Sequence, residues 1–125
     1  MQIRESAEDY LERILMLHQS IGLVRAVDIA NLMNFSKPSV SIALKKLRQN
    51  GYVTIDDGGY ISLTDSGREI AERVFERHRL ISKLLMALGV DEEVAKEDAC
   101  RIEHDLSVES FEAIKEYCRK QELLP

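Results

Sequence analysis

The stretch VDIANLMNFSKPSVSIALKKLRQNGYVTIDDGGYISL, residues 27–63, decides the fold. Residues 27–33 carry a short amphipathic helical pattern, and Asn34-Phe35-Ser36 reads as a turn. Ser36 is placed to cap a second helix with Pro38 in its first turn, where a missing N–H leaves no hydrogen bond unmade. That helix is expected to reach Gln49, with Val40, Ala43, Leu44 and Leu47 facing inward and Asn50-Gly51 stopping it. Residues 52–55 and 60–63 are β-rich runs separated by Asp56-Asp57-Gly58-Gly59, a strong hairpin signal.

Upstream, residues 6–21 read as a helix with Ser6 as N-cap and Asp9 at the capping-box position. Its apolar spacing comes from Tyr10, Leu11, Ile14, Leu15, Leu17 and Ile21, and Gly22 closes it. Downstream, Thr64 caps a long helix through Leu88, with Ile70, Val74, Ile81, Leu85 and Leu88 as its stripe and His78 on that stripe. Asp91 caps a helix expected to reach Leu106, and Ser107 caps a last one to Lys120. The order is helix, helix, turn, helix, hairpin, then three helices. This predicts a mainly α protein with an N-terminal winged helix-turn-helix, Ser36 to Arg48 as its recognition helix and the hairpin as its wing.

The chain has 125 residues, 45% apolar and 31% charged, with no Trp. That is an ordinary globular composition. The first twenty residues carry Arg4, Glu5, Glu8, Asp9, Glu12 and Arg13, which excludes a signal peptide there, and no apolar run approaches a membrane span. A cytoplasmic setting is expected, with Cys100 and Cys118 as reduced thiols.

The net charge of −5 argues against indiscriminate nucleic-acid binding, but the charge is unevenly spread. Residues 1–80 hold 11 Lys and Arg against 11 Asp and Glu, whereas residues 81–125 hold 6 against 11. Between Asp28 and Asp56 there is no acidic residue, and Lys37, Lys45, Lys46 and Arg48 all fall there. Only the contacting face of a DNA-binding protein needs to be positive. Ser39, Ser41 and Ile42 on the outer face of the recognition helix are small enough to approach base edges. Ser36 and Lys37 at its N-terminus, Lys45 and Lys46 further along, and Arg25 before the preceding helix suit phosphates. With no Arg in the first turns of that helix, few bidentate guanine contacts are expected, and specificity leans on shape and apolar contacts.

A second constellation lies in Cys100-Arg101-Ile102-Glu103-His104. A thiol, a carboxylate and an imidazole at i, i+3 and i+4 share one face of a helix and suit a divalent transition metal. Asp9 and Glu12 are three apart on the first helix, opposite its apolar side, and His78 offers a third wall. Each has a plain alternative: Asp9 in a capping box, Glu12 on the surface, His78 or Cys100 in the core, and Glu103 and His104 solvated.

The chain resembles the metal-dependent repressors of the diphtheria-toxin-repressor and manganese-transport-regulator family. The resemblance covers nearly all of it. It rests on Glu8-Asp9-Tyr10-Leu11-Glu12, on residues 30–47, on Leu63-Thr64-Asp65-Ser66-Gly67, on Arg77-His78-Arg79-Leu80, and most specifically on Asp98-Ala99-Cys100-Arg101-Ile102-Glu103-His104. The resemblance implies a DNA-binding domain over residues 1–66 and a helical metal-binding and dimerisation domain over 67–125. It implies a primary metal site from Asp9, Cys100, Glu103 and His104, with Glu12 and His78 helping to form a second. Dimerisation is expected through the last two helices, including Val108, Phe111, Ile114 and Tyr117.

The departures matter. The manganese-type branch has Asp and Glu at the positions of Asp9 and Glu12 but a Glu at that of Cys100. The iron-type branch has the Cys, but a Met at the position of Asp9 and an ancillary Glu and His where Ser82 and Lys96 stand. It usually carries an extra C-terminal domain, and this chain ends at Pro125, so the short form is expected. Carboxylates favour Mn²⁺ and the thiolate favours softer Fe²⁺. The expected function is a Mn²⁺- or Fe²⁺-dependent homodimeric repressor that binds a palindromic double-stranded operator and represses metal-uptake genes, with no membrane partner and no organic substrate. The rivals are a metal-independent winged-helix regulator with a helical dimer domain and a small metalloenzyme. Nothing in the sequence suggests a nucleophile, a substrate pocket or a phosphate loop, so no enzyme is expected.

Overall fold

The computed structural model describes the backbone of residues 2–122 and the side chains of residues 7–122. The described residues form six helices and one hairpin: α1 (Gln2–Ile21), α2 (Ala26–Met33), α3 (Lys37–Gln49), β1 (Val53–Ile55), β2 (Ile61–Leu63), α4 (Asp65–Ala87), α5 (Glu92–Ile102) and α6 (Val108–Lys120). They fall into two compact units, Met1–Glu72 and Arg73–Pro125, divided within α4. No described helix is long and apolar enough to cross a membrane.

In the first unit, α1 packs on α2 and β2, α2 on α3, and α3 on β1. Tyr10, Leu11, Ile14 and Leu15 of α1 are buried, as are Ile29 and Ala30 of α2, Val40, Leu44 and Leu47 of α3, and Val53 and Ile61 of the strands. Removing these side chains from water is the main stabilising contribution. Asn34 ends α2 in the left-handed region (φ 58°), and Phe35 N–H reaches the Ala30 carbonyl at 3.1 Å. Asn tolerates that conformation better than most residues, which keeps the turn into α3 short. The Ser36 hydroxyl caps α3 by accepting from Ser39 N–H, and Pro38 lies in its first turn.

The strands are antiparallel, with Val53 opposite Leu63 and Ile55 opposite Ile61. Asp56 Oδ1 accepts from Gly58 N–H (3.0 Å) and Tyr60 N–H (2.9 Å), which closes the hairpin turn. Ile61 N–H donates to the Val24 carbonyl at 2.8 Å and ties the wing to the segment after α1. Thr64 caps α4 as its sequence suggests, accepting from Gly67 N–H at 3.1 Å and donating to the Gly51 carbonyl at 2.6 Å.

In the second unit, Leu80, Phe111 and Cys118 form a buried cluster with Leu84 and Ile114 against it. Ala95 and Ala99 turn the apolar face of α5 inward.

Several local expectations change. α1 begins at Gln2, so Ser6 lies inside the helix rather than capping it; its side chain is outside the described residues. α5 stops at Ile102 rather than Leu106, because Glu103 is its C-cap and Asp105 N–H turns back to the Ile102 carbonyl at 3.0 Å. Ile21 and Leu88, read as the ends of the apolar stripes of the first and the long helix, are exposed. Phe111 is buried in its own unit and has no face left for a dimer contact, whereas Val108 and Tyr117 are exposed.

Candidate metal centre and DNA-reading helix

Helical spacing puts Cys100 and Glu103 one turn apart on α5 and its C-cap, and α4 brings His78 to them. His78 Nδ1 lies 3.1 Å from Glu103 Oε2 and 3.7 Å from Cys100 Sγ. One donor atom from each of the three lies within 4.8 Å of the others. His104 follows in the turn, its Nε2 3.5 Å from Glu103 Oε1. Its position depends on that turn, since the helix has already ended.

Glu103 is 1% exposed, and its Oε1 makes no hydrogen bond among the described residues. Burying a carboxylate is costly unless cations or donors surround it. Two imidazoles flank this one, and an oxygen stays available. Nitrogen, sulfur and oxygen donors at this spacing fit a divalent transition metal. The solvated reading of Glu103 and His104 therefore gives way to a buried cluster.

In the first unit, Asp9 and Glu12 sit one turn apart on α1. Asp9 is half-buried. Glu12 is fully buried, with Arg13 Nη1 3.2 Å from its Oε1. A surface Glu12 is thereby corrected.

The hydrogen bonds to Cys100 and to Glu103 push the His78 imidazole up to about 10, against the opposing effect of burial. At neutral pH it holds a proton that a ligating nitrogen must lose. Metal binding is therefore expected to release that proton, with apparent affinity rising tenfold per pH unit for each proton displaced until pH passes about 10. Calorimetry with Mn²⁺ in buffers of different ionisation enthalpy reads the number released. Without metal the sign reverses. The raised pKa stabilises the fold fully below pH 6.5, and that contribution is lost as pH climbs towards about 10.

On α3 and its N-cap, Ser36, Lys37, Ser39, Ser41, Ile42, Lys45 and Lys46 are all exposed, and Ile42 is 60% so. A groove of about 380 Å³ runs between α3 and the wing, lined by Ser41, Leu44, Lys45, Arg48, Ile55 and Ile61 among others. The Arg25 guanidinium lies over the Tyr60 ring at 4.4 Å, a cation–π contact between the start of α2 and the wing. That contact joins residues 35 apart and has no signature in the sequence.

Residues 2–59 match the family described as iron dependent repressor, N-terminal DNA binding domain. Residues 64–123 match iron dependent repressor, metal binding and dimerisation domain. The chain belongs to the iron-dependent repressor family. It is 37% identical over 118 residues to an HTH-type transcriptional regulator of Methanocaldococcus jannaschii, covering 93% of this chain and 94% of the relative. It is 34% identical over 117 residues to the transcriptional regulator MntR of Escherichia coli, covering 94% of this chain and 76% of the relative. The solved structure of the manganese regulator SloR superposes with a TM-score of 0.80 at 31% identity, covering 90% of this chain and 53% of that one. The chain thus spans about half the length of that solved structure. A repressor-family chain with a metal-binding and dimerisation domain is a metal-dependent regulator rather than a metal-independent winged-helix protein.

Proposed function

We propose that this repressor-family chain, as a homodimer, binds a palindromic operator when Mn²⁺ or Fe²⁺ is bound, and so represses metal-uptake genes. The observation that carries this is the His78–Cys100–Glu103 cluster in a chain whose other half is a DNA-binding domain. Asp9, Glu12, His78, Cys100, Glu103 and His104 are the proposed ligands. A bound divalent ion supplies positive charge that carboxylates can share. Until then the protonated His78 beside Glu103 offsets its charge. A coupling of about 1–3 kcal/mol per effector is enough to change operator occupancy.

On DNA, Ser39, Ser41 and Ile42 meet base edges, while Ser36, Lys37, Lys45, Lys46 and Arg25 hold phosphates. Two-fold symmetry sets half-sites about one helical turn apart, or a multiple of it. The functional division is residues 1–66 and 67–125, the setting is the cytoplasm, and no catalysis or organic substrate is involved.

The test is capture of genomic fragments in parallel with Mn²⁺, with Fe²⁺ kept reduced, and with chelator. One palindrome recovered only with metal is the expected result, and the more effective ion names the signal. Equal recovery in chelator would remove metal from the switch.

Cys100→Ser separates the two ions. Thiolate ligation favours the softer one, so the variant is expected to keep its response to Mn²⁺ and lose most of its response to Fe²⁺. The wild-type Co²⁺ complex should show thiolate charge-transfer absorption that the variant lacks. A wild-type complex without that band means Cys100 is not a ligand.

A further inference from the structure

The residue before His78 is a buried arginine. Arg77 on α4 is 8% exposed, and no carboxylate pairs with it among the described residues. Its Nη1 donates to two main-chain carbonyls, Glu103 at 3.0 Å and Leu106 at 2.8 Å. Its guanidinium stands 5.1 Å from the centre of the Phe111 ring on α6. Its Nε makes no hydrogen bond among the described residues. A guanidinium buried this way costs free energy that neutral residues would not. The fold tolerates the cost at the place where those two bonds are made.

What they hold is the turn between α5 and α6. Glu103 caps α5, and His104 follows it outside the helix. The spacing of α5 therefore cannot place His104. The two carbonyls that Arg77 bridges belong to the first and last residues of the segment 103–106, with His104 between them. The next residue of α4, His78, meets the Glu103 carboxylate and the Cys100 thiol. One turn of α4 thus grips the backbone of this segment with Arg77 and the Glu103 carboxylate with His78.

We propose that Arg77 is a positioning residue for the metal centre, setting Glu103 and His104 where the donors of His78 and Cys100 converge. This rests on the metal-site reading given under Proposed function. Groups that orient ligands raise affinity because the ligands need not be ordered when the ion binds.

The test uses the full chain and Co²⁺ alone as probe, with wild type, Arg77→Met and Arg77→Lys compared. Arg77→Met keeps much of the apolar stem and removes both donors. It is expected to weaken Co²⁺ binding about 10–100-fold, the range for residues that orient ligands. Its ligand-field bands should shift while the thiolate band persists at saturation, because Cys100 is placed by α5 itself. Arg77→Lys, able to reach a carbonyl with its ammonium, is expected to recover part of the loss.

Melting of the metal-free proteins separates positioning from structure. A lowered melting temperature with wild-type Co²⁺ affinity and spectrum overturns the assignment. If Arg77→Met does not fold, Arg77→Lys carries the test alone: weakened binding by folded protein supports it, and wild-type binding overturns it. A wild type that binds no Co²⁺ overturns the metal reading and this assignment with it.

Discussion

Gly67→Ala is expected to lower the melting temperature of the protein by roughly 10 °C or more, through overpacking of the DNA-binding unit. A Cβ at this position would lie 2.0 Å from the Tyr52 carbonyl oxygen, 2.9 Å from its carbon and 3.3 Å from its Cα. These atoms are backbone, so no rotamer change relieves the clash. Tyr52 cannot retreat easily. Its N–H is bonded to the Leu47 carbonyl at 3.0 Å, and its own carbonyl accepts from Thr64 N–H at 3.0 Å. The first turn of α4 therefore lies directly against the link between α3 and β1, and only a residue without a side chain fits there. Overpacking of this kind costs about 1–3 kcal/mol where neighbours can adjust, and a backbone neighbour puts this site at or above the top of that range. Gly22→Ala is the control. Its Cβ would meet nothing within 4 Å, so only the positive φ of 82° is penalised, at about 1–2 kcal/mol. Thermal melts followed by far-UV circular dichroism read both. Equal losses in the two variants would mean that Tyr52 moves aside freely.

Gly67 shows what could be read from the residues and what could not. Leu63-Thr64-Asp65-Ser66-Gly67 is legible as a helix start, because a cap works through groups two and three residues away. That Gly67 touches Tyr52 is not legible, since nothing local connects them. The same line runs through the rest of the chain. Ser36, Pro38 and Asn34 mark the boundaries of α3 and α2 by local chemistry, and the hairpin follows from Asp56-Asp57-Gly58-Gly59. Periodicity found Val40, Leu44 and Leu47 as the inner face of the recognition helix.

The errors fall where a distant partner intervenes. α5 ends early, in a turn whose carbonyls satisfy a buried guanidinium from α4 rather than further helix. Phe111 reads as one of several apolar residues on α6, yet it alone of the four proposed dimer residues is fully buried in its own unit. Glu12 and Glu103 carry no local mark of burial at all. Cys100 and Glu103 are legible as a pair from helical spacing; His78 is legible as a candidate third wall, but no local pattern on α4 says that it meets that pair, at 3.1 Å from Glu103 and 3.7 Å from Cys100.

Glu103→Gln is expected to weaken divalent metal binding by 100-fold or more and to abolish metal-dependent DNA binding at metal concentrations that saturate the wild type. A hundredfold corresponds to about 2.7 kcal/mol. The substitution keeps the size of the side chain and removes its charge. Glu103 belongs to the described three-residue cluster, touches His78 at 3.1 Å and His104 at 3.5 Å, and is buried where water cannot replace it. An amide oxygen is a far weaker donor to a cation than a carboxylate, and one of its two atoms becomes a hydrogen-bond donor. The histidine beside it reports the change independently. Glu103 is the second of the two hydrogen-bonded partners that raise His78, so the variant should titrate this imidazole below about 10. NMR titration of the metal-free protein reads that shift without any ion. Loss of metal affinity together with a lowered His78 pKa is the expected pair of results. A lowered pKa with unchanged Mn²⁺ affinity would make Glu103 a structural counter-ion to the histidines and leave Cys100 and His78 to hold the metal without it. If operator binding by the variant returns at high Mn²⁺, Glu103 acts through affinity. If it stays lost at full metal occupancy, Glu103 carries part of the coupling from the ion to the DNA-binding unit.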